Sequence, residues 1–176
     1  KLMKYLELGN APENPVCARI DWAIGFECNF RCEHCFAKAF TGSSENKRMT
    51  MDQIKYVADQ ADDLGVFMIN LIGGEPLIWH DLDEIIKVLD PRRFRISITT
   101  NGWMLSKEMA KHLAASGVDR VCISVDSSIP EEHDTFRKVK GAHARAMQAV
   151  KNSLEAGMVT QIATVVTHQN LHSKGM

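Results

Sequence analysis

The sequence predicts an α/β protein in which parallel strands alternate with helices, as an open sheet or as a β/α barrel. Short runs rich in β-branched residues alternate along the chain with amphipathic stretches of helical period. Gly65, Gly117 and Gly157 each follow a helical stretch, and a predicted strand begins directly after each of them. Because glycine accepts the left-handed conformation that ends many helices, these junctions indicate a repeated helix-to-strand unit.

Five strands and four helices are predicted in chain order. The strands cover Arg19–Phe26, Val66–Ile72, Phe94–Thr100, Arg120–Val125 and Val159–Val166. The helices cover Met51–Leu64, Leu82–Leu89, Lys107–Ala115 and Ala142–Ala156.

Three of the helix starts carry residues that cap free backbone N–H groups. Thr50 is followed three places later by Gln53, and Asp81 by Glu84, so each pair matches the capping-box pattern. Ser106 is predicted to cap the third helix.

Polar or glycine-rich residues follow every predicted strand. In chain order they are the cysteine loop, Gly73-Gly74-Glu75-Pro76, Thr100-Asn101-Gly102, Ser124-Val125-Asp126 and Thr167-His168. Barrels of alternating strands and helices place their active sites at the carboxyl ends of the strands. The distribution therefore predicts a binding site at this edge of the sheet.

Side chains alternate in character along the third and fourth strands. In the third strand the aliphatic set is Phe94, Ile96 and Ile98, and the polar set is Arg95, Ser97 and Thr99. In the fourth strand the corresponding sets are Val121, Ile123 and Val125, and Cys122, Ser124 and Asp126. We expect the aliphatic face to meet the helices and the polar face to line a lumen that holds a ligand. The alternative is that the polar residues are hydrogen-bonded within the core.

The most informative motif is a run of three cysteines, Cys28, Cys32 and Cys35, with the spacing C-x3-C-x2-C. A cubane iron-sulfur cluster normally takes one thiolate per iron. Three close cysteines therefore leave one iron open to a small molecule, and an open iron is a reactive site.

This spacing resembles the signature of the radical S-adenosylmethionine (radical SAM) enzymes, in which an aromatic residue usually precedes the last cysteine; here that residue is His34. The resemblance implies a 4Fe-4S cluster and SAM as cofactors, held on a partial TIM-type (β/α)6 barrel. It also implies reductive cleavage of SAM to a 5′-deoxyadenosyl radical that abstracts hydrogen from a substrate. An electron donor such as flavodoxin or ferredoxin is expected.

The resemblance also assigns the SAM-binding residues. Gly73, Gly74, Glu75 and Pro76 look like the family motif that receives the methionyl amine of SAM. Without a Cβ, the two glycines let a ligand approach the backbone closely.

Further SAM contacts are implied at the ends of the third and fourth strands. Ser124 corresponds by position to a hydroxyl that contacts the SAM carboxylate or ribose, and Asp126 is expected to assist at the ribose. Arg137 resembles a residue that reaches the SAM carboxylate. Thr100 and Asn101 are candidate cofactor contacts as well.

Bulk properties narrow the function classes. The chain has 176 residues, 45% of them hydrophobic, and a net charge of −1, which fits one globular domain. No basic stripe suggests nucleic acid, and no apolar run suggests a membrane span. Because no signal-peptide core is visible near the start, a reducing cytoplasm is expected.

Other uses of the cysteines stay open. A structural zinc ion needs a fourth ligand, which His34 or Cys17 could supply. A disulfide framework is disfavoured because five cysteines are an odd number and no leader peptide is visible.

The motif combination looks most like the branch of the family that carries a SPASM or twitch domain, many members of which modify ribosomal peptides or proteins. The expected reaction is a crosslink, epimerisation or oxidation. Alternatives are an enzyme of small-molecule cofactor biosynthesis, of molybdenum-cofactor or haem type, and a non-catalytic electron-transfer module. Residues 1–17 are expected to form an N-terminal extension and residues 18–176 a core barrel that lacks its sixth strand.

Overall fold

Five parallel strands form a single sheet in the computed structural model, which describes residues 17–37, 48–168 and 170–175. The strands are β1 (Arg19–Gly25), β2 (Met68–Gly73), β3 (Arg95–Thr100), β4 (Val118–Ser124) and β5 (Val159–Ala163). Their order in the sheet is their order in the chain, and every neighbouring pair is parallel. The predicted α/β class with successive parallel strands is therefore confirmed.

Helices connect the strands and cover one face of the sheet. They are α1 (Met51–Asp63), α2 (Leu82–Leu89), α3 (Lys107–Ala115), α4 (Pro130–Arg137) and α5 (Ala142–Glu155), with a short 3-10 helix at Pro76–Ile78. The predicted bounds of α2 and α3 are correct, and those of α1 and α5 err by one residue. The strand bounds err by one to three residues at their ends, with the largest error at β5.

The main hydrophobic core lies between the sheet and these helices. Ile96, Ile98, Val121 and Ile123 each have 0% exposed surface in this core. The residues between them face the other way, so the predicted alternation is confirmed along β3 and β4. Burial of this one aliphatic face fixes the register, because a shift of one residue would turn it to the opposite side.

The predicted glycine junctions and two of the three caps are confirmed. Gly65, Gly117 and Gly157 have φ angles of 77°, 91° and 78°, in the left-handed region. Thr50 forms a complete capping box with Gln53, and the Ser106 side chain accepts from the N–H of Met109.

The predicted cap at Asp81 is wrong. Asp81 occupies the position before α2, but its side chain makes no capping hydrogen bond. Its carboxylate instead forms an ion pair with Arg48, an interaction that the local sequence pattern does not show.

Candidate active site

The cysteine loop follows β1 and is held by its own backbone. The Sγ of Cys28 accepts from the N–H of Phe30 at 3.3 Å, and Arg31 donates from Nη1 to the carbonyl of Cys28 at 2.7 Å. Phe30 and Cys32 are buried in a small apolar group with Ala142 at the start of α5. The loop is therefore anchored to the helical layer before any cofactor binds.

The glycine pair after β2 lies against this loop. Gly74 donates its N–H to the carbonyl of Gly25 at 3.0 Å, and Glu75 donates its N–H to the carbonyl of Glu27 at 2.7 Å. A Cβ on Gly73 would collide with the oxygen of Gly25, and one on Gly74 with the oxygen of Glu27. Glycine is therefore required at both positions by contact between two backbone segments, before any ligand is considered.

The carboxylate of Glu75 joins the loops after β2 and β3. It accepts from the Thr100 hydroxyl at 2.6 Å, from the Asn101 N–H at 2.7 Å and from the Leu77 N–H at 3.1 Å. Burial raises the pKa of this carboxyl, and the hydrogen bond from Thr100 opposes that shift. Glu75 is 1% exposed, so its role in this structure is to fix the two loops relative to each other.

Asn101 extends the same connection to the cysteine loop. Its Nδ2 donates to the Oδ1 of Asn29 at 2.8 Å, and its Oδ1 accepts from the N–H of Trp103 at 2.9 Å. The Trp103 ring meets Phe30 edge to face, with 5.7 Å between centroids. Thr100 and Asn101 thus use their polar atoms to hold the site together.

A buried ion pair, Arg137 with Asp126, lies beside Cys32. Arg137, in the last turn of α4, donates from Nε to the Oδ2 of Asp126 at 2.6 Å. Its Nη1 lies 4.0 Å from the Sγ of Cys32. The Oδ1 of Asp126 accepts from the N–H of Val165 at 3.1 Å. Both oxygens of Asp126 therefore have protein partners.

His34 is stacked on Phe136 of α4, with 4.0 Å between ring centroids and an angle of 8° between the planes. Burial lowers the pKa of His34, and the positive charge of Arg137 acts in the same direction. Its Nδ1 is buried without a hydrogen-bond partner among the residues that the structure describes. The other ring nitrogen, Nε2, lies 4.0 Å from the Oδ2 of Asp126.

One cavity of about 330 Å³ is common to most of the predicted site residues. Those in its wall are Cys28, Cys32, His34, Cys35, Gly73, Gly74, Glu75, Thr100, Asn101, Ser124 and Arg137. Pro76 and Asp126 are not in the wall: Pro76 begins the 3-10 helix, and Asp126 lies behind Arg137. Cys17 is exposed and lies outside the wall as well.

The three thiols fit an iron-sulfur cluster better than a single metal ion. Burial raises the pKa of the Cys28 thiol to about 11, and the neighbouring Cys32 and Cys35 contribute in the same direction, so the three sulfurs interact. Among residues 17–37, 48–168 and 170–175, no three His, Cys, Asp or Glu side chains are placed to hold one metal ion. A cubane takes each thiolate on a different iron, so its ligands need not meet at one point.

Sequence reasoning missed the helix α4 and with it Phe136, the stacking partner of His34. The available signal was Pro130 followed by Glu131 and Glu132, since proline at the first helical position and acidic residues in the first turn are typical of a helix start. This helix is hard to predict from periodicity, because it has only eight residues and little apolar alternation.

Comparison with known proteins identifies the family. Residues 22–174 match the Radical SAM superfamily, so the chain belongs to that superfamily. Its members are enzymes that use a 4Fe-4S cluster and SAM.

Two kinds of curated relatives have similar sequences. An AdoMet-dependent heme synthase of Nitratidesulfovibrio vulgaris is 35% identical over 160 residues, which are 91% of this chain and 43% of that protein. The mycofactocin maturase MftC of Mycolicibacterium smegmatis is 32% identical over 172 residues, which are 97% of this chain and 42% of that protein. The chain therefore spans less than half the length of these relatives.

Solved structures support the fold. Streptococcus suis SuiB, crystallised with S-adenosylmethionine, has a TM-score of 0.73 at 21% identity over 88% of this chain and 35% of that one. Native anSMEcpe with bound AdoMet has a TM-score of 0.70 at 19% identity over 89% of this chain and 46% of that one. Among the described residues, no helix is both long and apolar enough to span a bilayer.

Proposed function

We propose that this chain is the catalytic core of a radical SAM enzyme, with Cys28, Cys32 and Cys35 as the three protein ligands of the 4Fe-4S cluster. The observation that carries the proposal is the shared cavity: all three cysteines and the Gly73-Gly74 backbone lie in one wall. When bound, the cluster supplies the electron that splits SAM into methionine and a 5′-deoxyadenosyl radical. A flavodoxin or a ferredoxin of a reducing cytoplasm is the proposed source of that electron.

The chain's own residues prepare this site. The backbone of Gly73 and Gly74 lies in the cavity wall, where its carbonyl groups would accept hydrogen bonds from the methionyl amine of SAM. Ser124 contributes a hydroxyl to the same cavity, and His34 contributes a flat ring. We assign these four residues to SAM binding.

Arg137 has two functions in this proposal. Its ion pair with Asp126 fixes the guanidinium, and its Nη1 faces the Sγ of Cys32. A positive charge beside a thiolate favours the ionised form that metal binding requires. Arg137 also lines the cavity, where the fork of its guanidinium would suit the carboxylate of SAM.

Glu75, Thr100 and Asn101 line the cavity and also hold its wall together. Each uses its polar side-chain atoms in hydrogen bonds between loops. Asp126 acts in the same way through Arg137, and Pro76 directs the chain into the 3-10 helix. We therefore place these residues in support of the SAM site.

The substrate we propose is a ribosomal peptide or protein, modified by a crosslink, an epimerisation or an oxidation. The similarity to the maturase MftC and to the structure of SuiB bound to its precursor peptide SuiA supports this class. Assignment to the SPASM or twitch branch is part of this proposal. The second candidate is a tetrapyrrole, because relatives named AdoMet-dependent heme synthase and Fe-coproporphyrin III synthase match at similar identity.

The test is anaerobic reconstitution of the full-length protein, followed by iron and sulfide analysis and electron paramagnetic resonance with and without SAM. We expect at least about four irons and four sulfides per chain, a spectrum that shifts on addition of SAM, and release of 5′-deoxyadenosine after reduction. Cys28→Ala should lose the cluster, and Cys17→Ala, which changes an exposed cysteine outside the cavity, should keep it. Zinc without sulfide, or methyl-transfer products in place of 5′-deoxyadenosine, would overturn the proposal.

A further inference from the structure

Four exposed basic side chains are grouped around the cysteine loop, and we call them the basic patch. They are Arg31 in the loop itself, Lys138 and Lys140 between α4 and α5, and Arg145 in α5. The described wall of the cavity beside the cysteines contains none of the four. A molecule that contacts the basic patch can therefore lie next to the cysteines without entering the cavity.

Two aromatic rings connect the arginines of the basic patch. Arg31 donates from Nη1 to the carbonyls of Cys28 and Phe30, both at 2.7 Å. The Phe30 ring meets Trp103 edge to face, and the guanidinium carbon of Arg145 lies 5.2 Å from the centre of the Trp103 ring. A cation over an indole ring is attracted by its π electrons. Arg31 and Arg145 are therefore linked to each other through neighbouring rings.

The lysines of the basic patch are connected to the cysteine loop by Val139. This valine packs against the small apolar group that contains Phe30 and Cys32. Lys138 and Lys140 are its neighbours in the chain, and both are exposed. The other two cysteines of the loop pack against the same apolar group. The basic patch therefore borders the residues that would hold the cluster.

The positive charges of the basic patch have no carboxylate partners among residues 17–37, 48–168 and 170–175, where no carboxylate oxygen lies within 4.0 Å of a patch nitrogen. Nearby acidic residues have other contacts. Asp134 accepts from two backbone N–H groups at the start of α5, and Glu27 pairs with Arg48 at 3.4 Å. Glu33 lines a separate cavity. The basic patch thus keeps a local positive charge on a chain whose net charge is −1.

The composition of the basic patch fits a docking surface for an acidic protein. Trp103 is half-buried, and Met104, the next residue, is 43% exposed, so apolar surface lies among the charges. Tryptophan, methionine and arginine are all enriched in protein interfaces. Complementary charge raises the rate at which two proteins meet. Because electron transfer slows steeply with distance, a surface beside the cluster ligands is also the favourable place for an electron carrier.

We propose that the basic patch is the docking surface for an acidic electron-carrier protein, which delivers single electrons to the cluster held by Cys28, Cys32 and Cys35. This inference rests on the proposed function, because only a bound cluster makes an electron carrier necessary here. The reduced carrier loses one electron, and that electron breaks one C–S bond of SAM to give methionine and the 5′-deoxyadenosyl radical. The substrate uses the cavity and leaves the basic patch free for the carrier.

The first test measures binding of oxidised flavodoxin, an acidic carrier, to the reconstituted full-length protein by calorimetry. The double variant Lys138→Glu/Lys140→Glu reverses two charges of the basic patch. The double variant Lys87→Glu/Lys111→Glu is the matched control, because both lysines are exposed, on α2 and α3, and the change in net charge is the same. We expect the patch variant to bind flavodoxin about 10- to 100-fold more weakly than the control.

The second test measures release of 5′-deoxyadenosine from SAM. With a low concentration of reduced flavodoxin, the patch variant should release it about 10- to 100-fold more slowly than the control. With sodium dithionite, a small reductant that needs no docking surface, the two variants should release it at equal rates. Flavodoxin-driven release by the wild type should also slow by about tenfold or more when the salt concentration rises from about 0.05 to 0.5 M. Iron analysis and urea midpoints establish that the variants are loaded and folded.

Three results would overturn the inference. The first is equal binding of flavodoxin by the patch variant and the control. The second is flavodoxin-driven release by the wild type that does not depend on salt, a measurement that requires no variant. The third is an oligoglutamate peptide that binds the wild type but not the patch variant while flavodoxin-driven release is unchanged, because the basic patch would then bind an acidic peptide.

The proposed function is judged separately, by release of 5′-deoxyadenosine from wild-type protein with dithionite. Release with dithionite, together with equal flavodoxin binding by the two variants, refutes the docking surface alone. Absence of release from wild-type protein with dithionite refutes the proposed function.

Discussion

Arg137 and Asp126 form a buried ion pair, with 2.6 Å between Nε and Oδ2, and less than a tenth of either residue is exposed. The pair connects helix α4 to the segment that follows β4. Through Nη1 of Arg137 it also reaches the Sγ of Cys32, at 4.0 Å. A single interaction therefore links the cysteine loop to the carboxyl edge of the sheet.

Asp126→Asn should destabilise the protein by about 3 to 5 kcal/mol, because it leaves the buried charge of Arg137 without its partner. The cluster content should fall as well, since the guanidinium that faces Cys32 loses its anchor. Anaerobic urea denaturation and iron analysis measure the two effects. Asp90→Asn is the control, because Asp90 is paired with the exposed Arg92 and its midpoint should stay close to that of the wild type. An Asp126→Asn protein as stable as the wild type would contradict the role given to the pair.

Gly74→Ala should weaken SAM binding by about tenfold or more. The reason is that the backbone donors and acceptors of the SAM site are displaced, and the loss of one hydrogen bond reduces affinity by about this factor. The new methyl group would collide with the carbonyl oxygen of Glu27, next to Cys28. Overpacking of this kind also costs about 1 to 3 kcal/mol of stability. Equilibrium dialysis with SAM on the reconstituted protein measures the affinity.

Gly141→Ala separates this effect from the general cost of replacing a glycine. Gly141 has a φ of 83° and nothing within 4 Å of its ideal Cβ, so alanine there costs about 1 kcal/mol of backbone strain alone. Its SAM affinity should equal that of the wild type. Equal affinities for both alanine variants would show that the contact with Glu27 is unimportant.

The fold was predictable because its signals are local. Gly65, Gly117 and Gly157 mark the helix ends. Glycine at such a position predicts a left-handed φ angle from the sequence alone. The aliphatic alternation of β3 likewise fixes which face is buried. The same local rules fail at Asp81, where an ion pair with Arg48, distant in sequence, replaces the cap.

The residues that form the site were largely predictable from the sequence. The hydrogen bonds among them were less predictable. The spacing of Cys28, Cys32 and Cys35 identifies the cysteine loop without any structure. That Glu75 accepts from Thr100 and Asn101 depends on how two loops meet in space, and no spacing along the chain encodes it. The assignment of these three residues as cofactor contacts stays a prediction, and all three line the cavity.

Glu75→Gln should destabilise the protein by about 1 to 3 kcal/mol, because one donor would then face the amide NH2 group. The carboxylate now accepts from Thr100 and Leu77 at Oε1 and from Asn101 at Oε2. The single side-chain oxygen of glutamine can replace Oε1 but cannot replace Oε1 and Oε2 together. Urea midpoints measure the loss, and Glu84→Gln on the exposed surface of α2 is the control, with no change expected. Equal midpoints for the two variants would mean that the loops are held by other contacts.

His133 gives the protein a predicted dependence of stability on pH. It is 1% exposed, and its Nδ1 accepts from the N–H of Asp126 at 3.1 Å. Burial lowers its pKa from 6.5 to about 4; the positive charge of Arg137 acts in the same direction, as does His143, whereas Asp126 and Asp134 oppose the shift. The folded protein thus keeps a neutral imidazole at pH values where the unfolded chain takes up a proton.

The direction of the pH dependence follows from the difference between the pKa of His133 in the folded protein and in the unfolded chain. The stability contributed by neutral His133 is complete above about pH 6.5 and is lost as the pH falls towards 4, because protonation favours the unfolded state. Between pH 7 and pH 5 the loss should be about 2 kcal/mol. His133→Asn keeps an acceptor for the Asp126 N–H and does not titrate, so its stability should fall by about 2 kcal/mol less over this range.

The measurement is anaerobic urea denaturation of wild-type protein, His133→Asn and His172→Asn at pH 7 and pH 5. His172 lies on the exposed surface, so its variant should keep the wild-type pH dependence. Any acid sensitivity of the cysteine site is common to all three proteins and cancels in the comparison. If His133→Asn loses as much stability as the His172→Asn control, the imidazole is already protonated in the folded protein, and its Nδ1 does not accept from the N–H of Asp126.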